Sequence, residues 1–446
     1  MNFSLEKFNK NLFFVALVLL IFRVGHFYNS FVPKPYEMAF VILCCLTLVY
    51  MLRFRKITDF FRSIPKRILI AVFILVIAIL FGWLLAVYAY GIPSTFNMVL
   101  EFGTFSIGLV TSLLILFYTK NDQYWADRYL YALVVPALFG IFALLPALAV
   151  HIPGLLAPDG NFTGLTDNVN IISKVLLLPA LFFITYSLFP SQKAWHKILY
   201  MLAAVCLVAL LFWISSRGAL LSLGLGALVI GLMYSLHHFQ WKKLLQTALI
   251  ILIILALGFI LTPYSRKQRG LDRILNNENN QSSAAVLRNE SLGAILRNSL
   301  NRNSGGYSVN DANTVSVPVA SAGESRLEIW PYYARLAWRH PFGIGPDTHY
   351  QSNFVNKNGD TLSSGPHNTY IQIWFWGGWL ALFSFLYIMG SAFTNLVRQL
   401  RSQFTRRGLA LFGILLVLAI AIAFDDSLSL YCFWAILALS LQQWIP

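Results

Sequence analysis

Apolar runs of roughly 18 to 24 residues recur along the whole chain, each long enough to cross about 30 Å of hydrocarbon as a helix. Lipid offers no partner to a backbone N–H or C=O, so a chain built this way must pair those groups within each span. Composition agrees: of 446 residues 58% are hydrophobic and only 11% charged, with a mean hydropathy of +0.66. A soluble domain of this size carries far more charge. The expected fold is an all-α, polytopic membrane helix bundle of about twelve spans. They are placed at 12–30, 36–52, 68–90, 97–118, 129–150, 171–189, 197–214, 218–236, 244–262, 370–393, 408–424 and 427–444. The first run follows Lys7 and Lys10 and lacks a small-residue cleavage site, so it reads as a retained span rather than a signal peptide.

The net charge of +15 would suit a nucleic-acid partner, but its placement points elsewhere. Arg53, Arg55, Lys56, Arg62, Lys66 and Arg67 fill one connection, and Arg398, Arg401, Arg406 and Arg407 another; Lys193 with Lys197, and Lys242 with Lys243, mark two more. By the positive-inside rule these connections are cytoplasmic, and the excess charge is a topology signal. Counting spans from a cytoplasmic N-terminus leaves every such connection inside, puts 151–170, without Lys or Arg, outside, and returns the C-terminus to the cytoplasm. The chain then divides into spans one to nine (1–262), an external loop (263–369) and spans ten to twelve (370–446).

The external loop is not uniform. From 276 to 322 it is rich in Asn, Ser and Gly, with too little apolar surface to offset its ordering entropy. After Gly323 the character changes: Leu327, Ile329, Trp330, Tyr333, Leu336 and Ala337 are spaced as on one face of a helix. Pro331 either kinks that helix or occupies the first turn of a second one. His340-Pro341 ends the pattern, and Gly343-Ile344-Gly345-Pro346 is a turn leading back toward the bundle.

Several polar residues sit where a membrane protein does not carry them without reason. Arg217, in Ser215-Ser216-Arg217-Gly218, lies between two spans with almost no loop, on the external side. It either snorkels at a helix end or holds a phosphate with its two-pronged guanidinium. Arg326 opens the surface helix, where an arginine is ordinarily solvated or touching headgroups; Arg335 and Arg339, four apart on one face, compete with it. His367, in Gly365-Pro366-His367-Asn368, stands just before a span. It is either a hydrogen-bonded cap residue or a base whose ordinary pKa lets it take a proton near neutrality. Asn368 can cap that span. His340 and His349 are weaker candidates for the same chemistry. Arg23 and Lys174 lie inside apolar runs, where a charge faces a cavity or a partner such as Glu101, or snorkels. Asp425-Asp426 is the lone adjacent carboxylate pair; there is no His-Glu-x-x-His and no cysteine ligand pair, so no metal or other cofactor is expected. The four cysteines, Cys44, Cys45, Cys206 and Cys432, fall in apolar runs and point to neither disulfides nor thiol chemistry. No Walker loop is present, so the energy for any reaction has to come from the substrate.

Taken in order, Ser216-Arg217-Gly218 between two spans, a long external loop with Ser325-Arg326 and Trp330, then His340-Pro341-Phe342-Gly343-Ile344-Gly345, then Pro366-His367-Asn368 opening a span resemble the O-antigen ligase and polymerase family of bacterial envelope glycosyltransferases. The resemblance implies a GT-C type bundle in the bacterial inner membrane with a large periplasmic loop. It implies transfer of a glycan from undecaprenyl pyrophosphate on the periplasmic face, without a metal ion and with inversion at the anomeric carbon. In the ligase branch the acceptor is a sugar hydroxyl of the lipid A core. It further implies that Arg217 and Arg326 bind the pyrophosphate and that His367 activates the acceptor, with Arg335, Arg339, His340 and Asn368 in secondary positions. The insertion 276–322 has no counterpart in that chemistry.

A polymerase joining repeat units, or a protein O-oligosaccharyltransferase, would use the same donor and similar residues. A polysaccharide transporter is the alternative from another class, since twelve spans is a common number there. Transporters, however, carry symmetry between halves and interrupted helices at the midplane, whereas this chain gathers its polar residues in one asymmetric loop.

Overall fold

The computed structural model describes residues 5–22, 35–90, 95–120, 122–135, 169–190, 193–214, 216–238, 241–262, 324–346, 354–355, 361–362, 366–424 and 430–442. The helices in order are α1 (Leu5–Phe22), α2 (Pro35–Arg53), α3 (Ile57–Ser63), α4 (Lys66–Tyr90), α5 (Thr95–Thr119), α6 (Gln123–Ala132), α7 (Val169–Leu188) and α8 (Ala194–Ile214). They continue with α9 (Arg217–His238), α10 (Trp241–Leu261), α11 (Glu324–Arg339), α12 (Thr369–Ser402), α13 (Arg406–Ala421) and α14 (Tyr431–Leu441). A 3-10 turn, Ile422–Phe424, extends α13, and Phe354–Val355 pairs antiparallel with Thr361–Leu362.

Among the described residues eight helices are long and apolar enough to cross a membrane, and nine if α2 and α3, bent by 112°, form one span. The chain is therefore a multi-pass helical membrane protein. Eight of the expected runs appear as α4, α5, α7 to α10, α12 and α13. The first run becomes α1, which starts seven residues before Leu12 and ends at Phe22. The run 129–150 is represented by the end of α6; residues 136–168 lie outside the described residues, as do 263–323, which include the Asn-rich stretch. The last run is shorter as a helix than its hydrophobicity suggests: α14 has 11 residues, about 16 Å at 1.5 Å per residue. Its terminal carbonyls need donors, and side chains of α12 supply them. Asn395 donates to Ser440 O and Gln442 O, both at 2.8 Å, and Gln399 donates to Gln442 O at 2.7 Å. Side-chain amides from a neighbouring helix thus cap the end of α14.

Ionic and aromatic contacts gather the basic connections at one end of the bundle. Lys10 bridges Glu6 (3.3 Å) and Asp122 (3.0 Å), Lys56 reaches Glu6 (2.9 Å), and Lys120 donates to Arg62 O (3.1 Å). At the start of α13, buried Arg407 pairs with Asp127 at 2.7 Å, and Arg406 lies over the Tyr186 ring. Phe189 and His237 both stack on Phe404, which brings the far ends of α7 and α9 to the same level. This is the basic end. The helix starts at Val169, Arg217 and Thr369 and the end of α13 lie at the other, called the site end below.

The expected uniform span 370–393 is replaced by a helix of 34 residues broken at Gly377 and Gly378. Gly378 has φ +67° and ψ −163°, a region open essentially to glycine alone. The break frees the carbonyls of Phe375 and Trp376, and the turn after α11 fills it. Ile344 N–H donates to Phe375 O (2.8 Å), Gly345 N–H to Trp376 O (2.9 Å), and Trp379 N–H to Pro341 O (3.1 Å). The junction packs against α4 between Ala78 and Trp83, within that helix's apolar span. Irregular backbone is tolerated at such a place when protein, not lipid, surrounds it and pairs its polar groups. Aromatic rings close the joint: Tyr333 on Phe375 (5.3 Å), Trp338 on Trp379 (5.4 Å) and Trp374 on Trp379 (4.3 Å). Beyond the break the chain folds back far enough for Tyr370 to meet Phe385 at 5.9 Å.

Candidate active site

The residues Pro366, His367 and Asn368 form the entry to α12. Asn368 accepts from the N–H groups of Tyr370 (3.0 Å) and Ile371 (3.1 Å), so it caps the helix as its position suggests. His367 is half-buried and held at φ +45°. A left-handed backbone costs a non-glycine residue about 1 kcal/mol or more, and the cap beside it and the buried proline before it offset that cost. Asn368→Ala removes the cap and should cost about 1 kcal/mol, read as a lower melting temperature of the purified protein together with reduced activity.

The elements bearing the other two candidates meet this one around the end of α13 and the 3-10 turn that carries Phe424. Arg217 is the first residue of α9, and a Cβ on its neighbour Gly218 would lie 4.0 Å from the Cβ of Phe424. Arg326 lies in the first turn of α11, one turn before Trp330, whose ring meets Phe424 at 5.8 Å. Tyr370, three residues beyond His367, donates its hydroxyl to Ala419 O at 2.8 Å near the end of α13, a little before the 3-10 turn that carries Phe424. Elements more than a hundred residues apart in sequence thus share one corner of the bundle. Two helices, α9 and α12, also begin there, and helix N-termini carry partial positive charge that favours anions.

Secondary candidates separate clearly. Arg335 and Arg339 are exposed along α11. His340 ends that helix: its backbone N–H is held by Leu336 O and Ala337 O, and its carbonyl accepts from Gly343 N–H. Burial, with the neighbouring Arg339 charge, pushes its imidazole below the ordinary value, which disfavours the charged form. Arg23, His349, Asp425 and Asp426 lie outside the described residues. Sequence reasoning overlooked Tyr370 and Phe424, apolar-looking members of apolar runs whose partners come from other helices. It also passed over Gln372, which is buried and whose side-chain oxygen has no donor among the described residues; a Gln between two isoleucines of a span was the available signal.

Residues 202–386 match the model of a family described as O-antigen ligase. The matched stretch runs from α8 past the break in α12 and includes Arg217, Arg326 and His367. Over that stretch the chain resembles the O-antigen ligase family. The search of curated proteins finds no match for the chain.

Proposed function

We propose that this chain, resembling the O-antigen ligase family over residues 202–386, is an inverting, metal-independent glycosyltransferase that ligates O-antigen to the lipid A core. The donor is a glycan on undecaprenyl pyrophosphate. His367 takes the proton from an acceptor sugar hydroxyl as its oxygen bonds to the anomeric carbon. The bond from that carbon to the pyrophosphate oxygen breaks, and undecaprenyl pyrophosphate leaves with the electron pair. Arg217 and Arg326 stabilise the charge developing on the leaving group, the kind of preorganised electrostatic help that contributes most at a low-dielectric boundary. The observation that carries this reading is the convergence of the three elements bearing these side chains on the end of α13 and Phe424. In this reading the basic end and both termini face the cytoplasm, 263–369 forms a periplasmic loop between the bundle segments 1–262 and 370–446, and the site opens at the periplasmic face of the inner membrane.

Arg217→Lys should lower transfer by about a hundredfold, because a point charge does not reproduce the bidentate fork. Wild-type transfer in that variant, measured with a lipid-linked donor, would return Arg217 to a snorkelling role. Deletion of the gene followed by gel analysis of lipopolysaccharide tests the acceptor. Loss of all long chains with accumulation of lipid-linked polymer marks a ligase; a single repeat left on the core marks a polymerase.

A further inference from the structure

A lysine inside an apolar run ordinarily stretches to the lipid headgroups. Lys174 has no lipid face to follow. It lies near the start of α7, the most enclosed of the described spans, is 6% exposed, and every residue from Ile172 to Phe182 is buried. A cation in a span's interior is expensive and marks a functional position by default.

Helix register shows where it lies. Helices α7 and α9 run in the same direction, since Phe189 at the far end of α7 and His237 at the far end of α9 stack on the same Phe404 ring. Leu181 of α7 and Val417 of α13 pack against Gly226 of α9. Two turns toward the site end, about 10 Å on, these positions become Lys174, Phe424 and Ala219. Between α9 and α13 the offset agrees with Gly218, next to Ala219, approaching Phe424; α7 continues as a helix through Pro179. Lys174 stands on the same stripe of α7 as Leu181, hence level with the first turn of α9, where Arg217 begins the helix. Positive charge is thereby concentrated at one depth: an ammonium, a guanidinium-bearing residue and helix N-termini. Such a concentration suits a multiply charged anion.

We propose that Lys174 is a substrate-binding residue of this site, contacting the diphosphate of a polyprenyl-linked donor from the bundle interior beside Arg217. The proposal rests on the reading of the site given above. A compact ammonium suits it, since lysine binds phosphate as a point charge.

The test uses the full chain in nanodiscs of zwitterionic lipid, with undecaprenyl diphosphate as probe and undecaprenyl monophosphate as comparison. Lys174→Met should weaken diphosphate binding about tenfold or more and monophosphate binding less, while Lys174→Arg restores most of the affinity. Equal diphosphate affinity in wild type and Lys174→Met overturns the proposal while leaving the proposed function intact. Wild-type protein that binds no diphosphate overturns the proposed function itself. Met and Gln variants that lose monodispersity, with only Arg tolerated, assign the charge a structural role and overturn the proposal. So does a Lys174-dependent affinity that disappears when an anionic phospholipid is added, because the ligand is then the headgroup.

Discussion

Exchange of His367 for asparagine is expected to cut glycan transfer by about 10²- to 10⁴-fold, the range a positioned base contributes, while the protein stays inserted and monodisperse. Asparagine is the informative substitute because it tolerates the left-handed conformation that His367 adopts at φ +45°. The turn before α12 is then preserved, and the loss reads on chemistry rather than on folding. His367→Ala should lose as much activity and also some stability, since alanine meets the same backbone strain with nothing to relieve it. Thermal unfolding of the two variants separates these effects. Undiminished transfer by the asparagine variant would end the assignment of His367 as the base.

Gly378→Ala is expected to be as damaging by a different route. The new Cβ would fall on the carbonyl of Pro341, in a backbone conformation at φ +67° that side chains avoid. Either the loop 341–346 leaves the break, orphaning the carbonyls of Phe375 and Trp376 in an apolar layer, or α12 straightens and carries His367 away. Each outcome should cost about 3 kcal/mol or more, seen as a lower melting temperature and lost transfer. Gly390→Ala in the same helix is the matched control. A Cβ there meets nothing within 4 Å, so the change should be neutral or stabilising by up to about 1 kcal/mol. Equal melting temperatures for the two alanine variants would show that the break is not locked in this way.

Eight of the expected spans were readable because hydrophobicity alone decides which segments enter lipid. The order of Arg217, Arg326 and His367 was readable because charge is rare there. What stayed hidden depends on contacts between segments distant in sequence. The pair Gly377-Gly378 reads as two tolerated glycines of a span; its break is defined by N–H groups of Ile344 and Gly345, over thirty positions earlier. The carbonyls at the end of α14 are capped by amides of Asn395 and Gln399 in another helix. Lys174 could be read as snorkelling because the rotation of α7 is set by its neighbours, not by its own pattern. Phe424 gave no sign of its central place, being one apolar residue in an apolar run.

The joint between the turn 341–346 and the broken helix has one more consequence. It fastens the far end of the long connection after α10 directly onto the helix that presents the imidazole. The stretch between Leu261 and Glu324 can therefore lengthen or shrink during descent without displacing the joint, which is itself inherited unchanged.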